Sequence, residues 1–414
     1  MRAGPSQEDI RRHNLGALLR HVHLGGPISR AELTAKMGLN RSTIMALTSD
    51  LTAAGLVREE LPRETGRAGR PSLVVRPESS KVYVFAFDVG PDRLAAARVG
   101  LGGAILDRRE TARRRGPFDL DELAGTLAGF ARQMRRKTRA DTVCVGAAAA
   151  VSGGVRKDDG VIMFGPNLGA EVVPFGEELG RRLGLGLPVS VGNDANLAAL
   201  AEHSRGVAVA VRDLIYLHGD VGIGGGIITG GHLLGGHDGY GGEVGHMVVN
   251  PDGRPCGCGS RGCLEAEVGE RALLEAAGRT ILPGREGARA VEEAAGRQGR
   301  DAVRAVVDAA DRGDIVAQEG LKRVGGWLGL GVANLVNIFN PEMVIFGGML
   351  REVYLGSAAQ VRSRLATHAM GPQRERLRLR TSALADDATL VGAAELAFAH
   401  VLADPLEVLA RVTG

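Results

Sequence analysis

A short glycine-rich segment near the middle of the chain carries most of its soft metal ligands. His246 is followed by Cys256, Cys258 and Cys263, so one imidazole and three thiols fall within eighteen residues. An imidazole with three thiolates suits a closed tetrahedral Zn²⁺ site, and the intervening glycines allow the tight backbone that brings such ligands together. Three free thiols beside an unrelated histidine are the alternative. Because a closed site has no open position for water, we expect a structural zinc ion that fixes this loop.

Two carboxylates flank the same segment. Glu243 lies just before His246, and Glu265 lies just after Cys263. A metal that fixes the loop would also hold both carboxylates where a ligand can meet them.

Length and hydropathy limit the class of protein. A chain of 414 residues exceeds one ordinary hydrophobic core and predicts two or three domains. No apolar run is long enough to span a bilayer, and the polar N-terminus lacks the apolar stretch of a signal peptide. We therefore expect a cytoplasmic protein with no membrane partner. In that reducing compartment, four cysteines disfavour a disulfide framework and favour metal binding.

Positive charge is concentrated at the N-terminal end. Residues 1–80 contain 12 Lys and Arg against 8 Asp and Glu, whereas the whole chain has a net charge of only +3. The remainder is therefore close to neutral. This distribution is expected if the first fifth of the chain alone meets a polyanion.

The N-terminal residues have the pattern of three helices. Apolar residues at helical spacing predict the first helix over residues 12–23. Ser29 can cap a second helix, and Gly38 permits a sharp turn after it. Asn40 or Ser42 can then open a third helix. This is a helix-turn-helix pattern, whose second helix enters the major groove with its N-terminus first.

Two sets of side chains are predicted to contact operator DNA. The exposed start of the third helix carries the first set: Asn40, Arg41, Ser42 and Thr43. Residues 56–75 read as two short strands around a wing rich in Arg and Gly, which carries the second set: Arg63, Arg67 and Arg70. A solvated helical bundle with an ordinary charged hairpin is the alternative. The order of helix, turn, helix and wing predicts a DNA-binding domain over residues 1–80, ending in a linker at 77–81.

Glycine turns follow several apolar strands in the rest of the chain. A predicted strand at 82–88 is followed by Gly90 and a return strand. The glycine run at 222–226 follows the strand at 214–217 and could bring backbone N–H groups close to a bound anion or sugar. Both patterns also occur in ordinary turns.

A polar cluster ends another predicted strand, at 189–193. Asn193 and Asp194 stand there, just before an alanine-rich helix. Ligands of α/β sheets bind at such strand ends, so Asp194 is a candidate general base or hydroxyl acceptor, or alternatively a helix cap. Asn167 is a similar case, because its amide can bind ligand hydroxyls or stabilise a turn.

With these features in order, the chain resembles the ROK family of repressors, open reading frames and sugar kinases, in its repressor branch with an N-terminal winged helix. The most specific match is Gly-Glu-Val-Gly-His at 242–246, Cys-Gly-Cys-Gly at 256–259 and Gly-Cys-Leu-Glu at 262–265. These stretches are similar to the family's zinc and sugar signature.

The resemblance implies an α/β fold of the actin-like sugar-kinase (ASKHA) type, with two lobes around a cleft. The first lobe is expected over residues 81–195 and 387–405, and the second, with the zinc loop, over 196–386. The final helix, at about 390–402, is expected to pack back on the first lobe.

The resemblance also implies the sugar ligands. Residues of relatives that match Asn167, Asp194, Glu243, His246 and Glu265 bind sugar hydroxyls, and the one matching Asp194 deprotonates the acceptor hydroxyl during phosphorylation. With Asn193 from the strand end, the expected sugar-binding set is Asn167, Asn193, Asp194, Glu243, His246 and Glu265.

Both phosphate loops depart from the kinase pattern. Kinase members carry Asp-x-Gly-Gly-Thr after the first strand, where this chain has Pro91 and Asp92 after Gly90. In the second loop, Asp220 and Val221 replace a Gly-Thr pair. Proline removes a backbone donor, and a carboxylate near a phosphate costs on the order of 1 kcal/mol or more. Both changes oppose ATP binding.

These features predict a sugar-responsive DNA-binding transcriptional regulator, a repressor of carbohydrate genes, rather than an enzyme. Its expected partners are operator DNA and a sugar or sugar-phosphate effector. Because helix-turn-helix proteins generally read two half-sites, a homodimer or homotetramer is expected. The enzyme alternative is an ATP-dependent sugar kinase with an appended DNA-binding domain and Asp194 as base. A third interpretation is a metal-stabilised scaffold without a small ligand.

Overall fold

The computed structural model describes residues 6–62, 72–116, 119–165, 170–278 and 299–413. Asn167 and the wing arginines Arg63, Arg67 and Arg70 lie outside these residues, so their predicted roles remain predictions.

Three helices and a small antiparallel sheet form the N-terminal part of the chain. They are α1 Gln7–Gly25, β1 Ile28–Ser29, α2 Arg30–Met37, α3 Arg41–Ala53, β2 Val57–Glu60 and β3 Val74–Pro77, with sheet order β1-β3-β2. Ser29 caps α2, and Gly38 ends it with φ 64°. Asn40 caps α3, where its side chain accepts from the N–H of Thr43. The three helices and the hairpin are confirmed, whereas β1 has no signal in the sequence.

The predicted linker is a tight turn rather than an extended connection. The N–H of Glu78 donates to the carbonyl of Leu56, and the N–H of Val82 donates to the carbonyl of Glu78, at 2.9 and 3.1 Å. Leu18 and Leu19 of α1 belong to one buried cluster with Phe398 near the C-terminus. The N-terminal helices are therefore packed on the body of the protein, because their apolar faces share its core.

The first lobe is built on a five-stranded mixed sheet with the order β11-β7-β4-β5-β6. Its strands are β4 Val82–Val89, β5 Arg93–Gly100, β6 Ile105–Ala112, β7 Val143–Val151 and β11 Val189–Asn193, with helices α4 Leu120–Arg135 and α5 Phe175–Leu183. Helix α6 Asp194–Arg205 follows β11 and connects this lobe with the second. A side sheet holds β8 Gly154–Val155, β9 Ile162–Gly165 and β10 Ala170–Val173. The central strand β4 is buried along its whole length, as expected for a strand covered on both faces.

The second lobe repeats this strand order in a second five-stranded sheet, β14-β13-β12-β15-β16. Its strands are β12 Leu214–Gly219, β13 Ile223–Thr229, β14 His232–Leu233, β15 Met343–Gly348 and β16 Arg378–Thr381. Its helices are α7 Leu264–Val268, α8 Glu270–Gly278, α9 Arg300–Asp311, α10 Ile315–Phe339, α11 Met349–His368 and α12 Gly371–Glu375. In both sheets an antiparallel meander of three strands continues into two parallel strands. The predicted two-lobed α/β class is confirmed.

The glycine run at 222–226 lies mostly inside β13, and its first residues line the cavity between the lobes. The turn of this hairpin is formed by residues 220–222, between β12 and β13. A Cβ on Gly226 would lie 2.5 Å from the carbonyl oxygen of Ala195. Glycine is therefore required because α6 packs directly on β13.

Two helices close the chain, α13 Ala388–Ala403 and α14 Pro405–Thr413. As expected, α13 packs on the first lobe, against β7, β4 and α6, and also against α1. Within the described residues no single helix is long and apolar enough to cross a membrane. By length and composition alone, one pair bent by 102°, Ala385–Ala403 with Pro405–Val412, meets that test together.

Candidate functional site

The predicted metal ligands converge in space. The ligand atoms of His246, Cys256, Cys258 and Cys263 all lie within 4.8 Å of one another. The Sγ of Cys256 is 3.7 Å from Nδ1 of His246, and the Sγ atoms of Cys258 and Cys263 are 3.7 Å apart. These separations and the three sulfur donors fit one tetrahedral metal ion. The cluster could therefore hold a metal.

The local backbone places this cluster beside two carboxylates. His246 ends a short 3₁₀ turn, Val244–His246, that directly follows Glu243. Cys263 stands at the N-cap of α7, so Glu265 lies in the first turn of that helix. The Oε2 of Glu265 accepts from the N–H of Ile223 at 2.9 Å, which joins α7 to the start of β13. The carboxylate of Glu265 is thus fixed relative to the second sheet.

A cavity between the lobes collects the predicted sugar ligands that the structure describes. It is lined by Ser152, Gly153, Phe164, Asn193, Asp194, His218, Asp220, Gly222, Ile223, Gly224, Glu243, His246 and Glu265. Five of the six predicted sugar residues are among them, and Asn167 lies outside the described residues. Their convergence fits a pocket that binds several hydroxyl groups.

Sequence reasoning missed three side chains of this cavity. Ser152 follows β7, Phe164 lies on β9, and His218 lies on β12. The position of Ser152 at the end of a parallel strand was a usable signal, since ligands gather at such ends. His218 had the same signal, because it directly follows the strand predicted at 214–217, whereas Phe164 lies in a segment for which no element was predicted.

The structure decides between the two interpretations of Asp194. Asn193 is the cap of α6: its Oδ1 accepts from the N–H of Asn196 at 3.0 Å, and its Nδ2 donates to the carbonyl of Gly153 at 3.1 Å. The helix-cap interpretation of Asp194 is therefore wrong. Asp194 instead lies in the cavity, and its Oδ1 accepts from the N–H of Ala195 at 2.7 Å.

Asp194 is strongly perturbed by its surroundings. Burial, with the nearby charges of Asp88 and Glu243, raises the pKa of Asp194 to about 7. Near neutral pH it can therefore accept a hydrogen bond as a carboxylate or take up a proton. Burial likewise raises the pKa of Asp220, in the hairpin turn opposite, to about 7.

The two hairpin turns meet in an adjoining cavity of about 340 Å³. A Cβ on Gly90, in the first turn, would lie 3.8 Å from Oδ2 of Asp220, in the second. Asp92 was expected to stand as an extra charge in this space. It does line the cavity, and its charge is paired with Arg115, which contacts Oδ2 of Asp92 and Oε2 of Glu270, both at 2.7 Å. The first turn is thereby joined to the second lobe by an ion pair.

Helix α6 connects the cavity between the lobes with the N-terminal helices. Its first residue is Asp194 and its last is Arg205. Arg205 donates to the carbonyl of Gly102 at 2.9 Å and to the carboxylate of Glu395 on α13. Nε2 of His23, on α1, lies 2.7 Å from the same guanidinium and 3.1 Å from Glu395. One end of α6 thus lines the cavity while the other reaches α1.

The charge state of this buried network follows from its hydrogen bonds. Gly102 N–H donates to Nδ1 of His23 at 2.9 Å, and Nε2 of the same ring lies between the carboxylate of Glu395 and the guanidinium of Arg205. Burial lowers the pKa of His23. Burial favours the neutral acid of Glu395, but the hydrogen bond from His23 and the charge of Arg205 outweigh it and lower the pKa of Glu395. Glu395 and Arg205 therefore form a buried ion pair.

The predicted DNA contacts on α3 lie at its exposed end. Asn40, Arg41 and Ser42 are exposed, and Thr43 is half-buried. The Oδ1 of Asn40 is occupied by the N–H of Thr43 and the hydroxyl of Ser42, at 2.8 and 2.7 Å. Arg41 is the cation of this set, and its side chain is exposed to solvent.

The two lobes, the acidic cavity and the cluster of one histidine and three cysteines define a protein with the fold of sugar kinases, to which an N-terminal helical part is added. The ROK family model matches residues 84–400, and the chain belongs to the ROK family.

Individual relatives include regulators and kinases. The xylose repressor of Caldicellulosiruptor bescii is 29% identical over 384 residues, which cover 91% of this chain and 93% of that protein. A ROK family transcriptional regulator, a homologue of the Escherichia coli MLC protein, has a crystal structure with TM-score 0.79 and 27% identity, covering 98% of this chain and all of that one. A ROK family glucokinase from Streptomyces griseus, in complex with glucose and AMPPNP, has TM-score 0.63 and 30% identity, covering 76% of this chain and 99% of the other.

Proposed function

We propose that this protein is a sugar-responsive DNA-binding transcriptional regulator, a repressor of carbohydrate genes. The observation that carries the proposal is helix α6, which begins at Asp194 in the cavity and ends at Arg205, whose side chain contacts His23 of α1. A sugar that moves Asp194 would displace the helix and with it the contacts of α1. Full-length similarity to a xylose repressor and to an MLC homologue supports the same function.

The DNA-binding part would be a winged helix-turn-helix. Helices α2 and α3, joined by the turn at Gly38, form the motif, and the β2–β3 hairpin is the base of the wing. Arg41 and Ser42 would contact the major groove, with Asn40 and Thr43 beside them, and the wing arginines would contact phosphates. Two half-sites would require a homodimer or homotetramer.

The sugar would lie between the lobes. Asn193, Asp194, Glu243, His246 and Glu265, together with Asn167, would bind its hydroxyl groups. The metal cluster suits Zn²⁺, because three sulfurs and one imidazole nitrogen match its preferred donors. The zinc would supply rigidity to the loop that carries Glu243 and Glu265. The first lobe would comprise residues 81–195 and 387–405, the second 196–386.

An ATP-dependent sugar kinase is the second candidate. It is favoured by Asp194, whose pKa of about 7 suits a general base, and by the similarity to the Streptomyces griseus glucokinase. Against it stand Pro91 and the half-buried Asp220 in the two phosphate turns. A carboxylate in that position repels the phosphates of a nucleotide.

One experiment separates these candidates. Operator fragments would be selected from the genome of the source organism with the full-length protein, and their affinity measured by fluorescence anisotropy with and without D-xylose, D-glucose or N-acetyl-D-glucosamine. We expect one of these sugars to change the affinity severalfold. In parallel, the protein would be incubated with ATP, Mg²⁺ and the same sugars. Turnover at ordinary kinase rates without selective DNA binding would refute the regulator.

A further inference from the structure

The ionisable side chains that line the candidate sugar cavity are four carboxyl groups and two histidines. Four carboxylates line it, from Asp194, Asp220, Glu243 and Glu265, and no lysine or arginine is among its described lining residues. A phosphate group needs cationic or N–H donors in this position and would be repelled by the carboxylates. Neutral hydroxyl groups, in contrast, donate hydrogen bonds to carboxylate oxygens.

The adjoining cavity does not offer a free cation to a phosphate that extends from the sugar. Its charged lining residues are Asp88, Asp92, Asp194, Asp220, Asp301 and Asp386, against Arg93 and Arg300. Arg93 contacts Asp88 at 3.0 Å, and Arg300 is bonded to Asp386 and to Glu352. Both cations are thus already occupied by carboxylates, so a phosphate would have to displace them.

One side of the sugar cavity is aromatic. Phe164 is 40% exposed although it is a large apolar side chain, and it lines the cavity with the carboxylates. Its position is fixed by its neighbours: a Cβ on Gly154, its cross-strand partner on β8, would lie 2.3 Å from the ring. The ring of Tyr240, from the second lobe, lies 6.2 Å away between centroids with a tilt of 50°.

An exposed aromatic face beside hydroxyl acceptors suits a ligand that has an apolar face and a rim of hydroxyl groups. The face of an aromatic ring carries partial negative charge, which attracts the weakly positive C–H groups of an apolar surface. A pyranose with equatorial hydroxyl groups presents such C–H groups on its faces and hydroxyl groups around its rim. The rim would reach the carboxylates while one face lies on Phe164.

We propose that the effector is a neutral pyranose sugar whose C–H face stacks on Phe164, and that phosphorylated sugars are excluded from the site. The inference rests on the proposed function and specifies its ligand class. Phe164 is then a specificity-determining residue of the sugar site, supported by Gly154 and by Tyr240.

Isothermal titration calorimetry on the full-length, metal-loaded protein tests this assignment. The probes are D-glucose, D-xylose and N-acetyl-D-glucosamine, with glucose 6-phosphate and N-acetylglucosamine 6-phosphate. The variants are Phe164→Ala, Phe164→Leu and Phe164→Tyr. Phe339→Ala is the matched control, because Phe339 is similarly exposed, at 36%, and lies at the end of α10. Metal content and thermal unfolding confirm that each variant is folded.

We expect a free sugar to bind the wild-type protein and its phosphate to bind at least tenfold more weakly. Phe164→Ala should weaken the affinity for the free sugar by about tenfold, and Phe164→Leu should weaken it by nearly as much. Phe164→Tyr and Phe339→Ala should change this affinity little. Equal affinity in Phe164→Ala, or tighter binding of a sugar phosphate than of its parent sugar, would overturn the inference while leaving the effector site in place. Binding of no sugar and no sugar phosphate by the wild-type protein would refute the proposed effector site itself, and the inference with it.

Discussion

Asp194 and Arg205 are the two ends of one helix of 12 residues, α6. The carboxylate at its first residue lines the sugar cavity, and the guanidinium at its last residue binds Glu395 beside His23 of α1. At 1.5 Å per residue, these ends are about 18 Å apart along the axis. A packed helix moves as a unit, so it can carry a small displacement over this distance.

Replacing Arg205 by alanine should leave sugar binding intact and abolish the effect of sugar on operator affinity. In Arg205→Ala, Glu395 stays buried without its cation, so we expect a loss of about 3 to 5 kcal/mol in the free energy of unfolding. Urea unfolding measures that loss. Among folded molecules, sugar affinity should be retained while the effect of sugar on operator affinity disappears. The control is Arg181→Ala, whose exposed pair with Glu178 should contribute little to stability because solvent screens it.

Loss of one metal ligand should release the metal. Cys258 is exposed, so Cys258→Ser leaves no buried cavity, and its main effect is on the ion. We expect loss of bound zinc by elemental analysis, and lower sugar affinity because Glu243 and Glu265 lose their fixed positions. Cys144→Ser should keep the metal, since Cys144 lies on β7 outside the cluster. Unchanged zinc content in Cys258→Ser would remove the metal assignment.

The ionisation of Asp194 should lower the stability of the folded chain as pH rises between about 4 and 7. The pKa of Asp194 is raised from 3.8 to about 7 by burial, so in this window the folded chain binds a proton that the unfolded chain releases. That contribution is present below about pH 4 and is lost as pH rises through 7. Each pKa unit corresponds to about 1.4 kcal/mol, so the effect is on the order of 4 kcal/mol at most.

The variant Asp194→Asn isolates this effect, because it keeps the shape of the side chain and removes its titration. Urea unfolding at pH 5 and pH 8 should give a smaller difference for this variant than for the wild type. The exposed Asp158→Asn should keep the wild-type difference. A wild-type pH dependence in Asp194→Asn would mean that this carboxyl group is ionised throughout.

Replacing Arg41 should weaken operator binding and leave sugar binding unchanged. It is exposed at the first residue of α3, far along the chain from the cavity residues. Arg41→Ala should weaken operator binding by about 1 to 3 kcal/mol if the side chain contacts a base, or reduce the salt dependence by about one ion if it contacts a phosphate. Anisotropy titrations at several salt concentrations distinguish these cases. Arg376→Ala, exposed in the second lobe, should bind as the wild type does.

Local signals in the sequence were sufficient where short-range chemistry decides the structure. Ser29 and Asn40 were placed correctly as caps, because capping depends on residues only three positions apart. The metal ligands were found for a similar reason, since their identity and spacing along the chain already restrict the loop. The pairing of Asp92 with Arg115 could not be predicted, because the two residues are distant in the sequence and no local pattern relates them.

The amino-acid sequence by itself determined the three N-terminal helices and the cluster of one histidine and three cysteines, because each depends on residue type and local spacing, whereas the two-lobed fold and the cavity carboxylates followed from the resemblance to the ROK family. Tertiary structure alone decided that Phe164 faces those carboxylates, that Asn193 rather than Asp194 caps α6, and that Arg205 meets His23 and Glu395. His23 and Glu395 are 372 residues apart. Contacts between such distant residues arise only when the lobes and the N-terminal helices bury their apolar faces together.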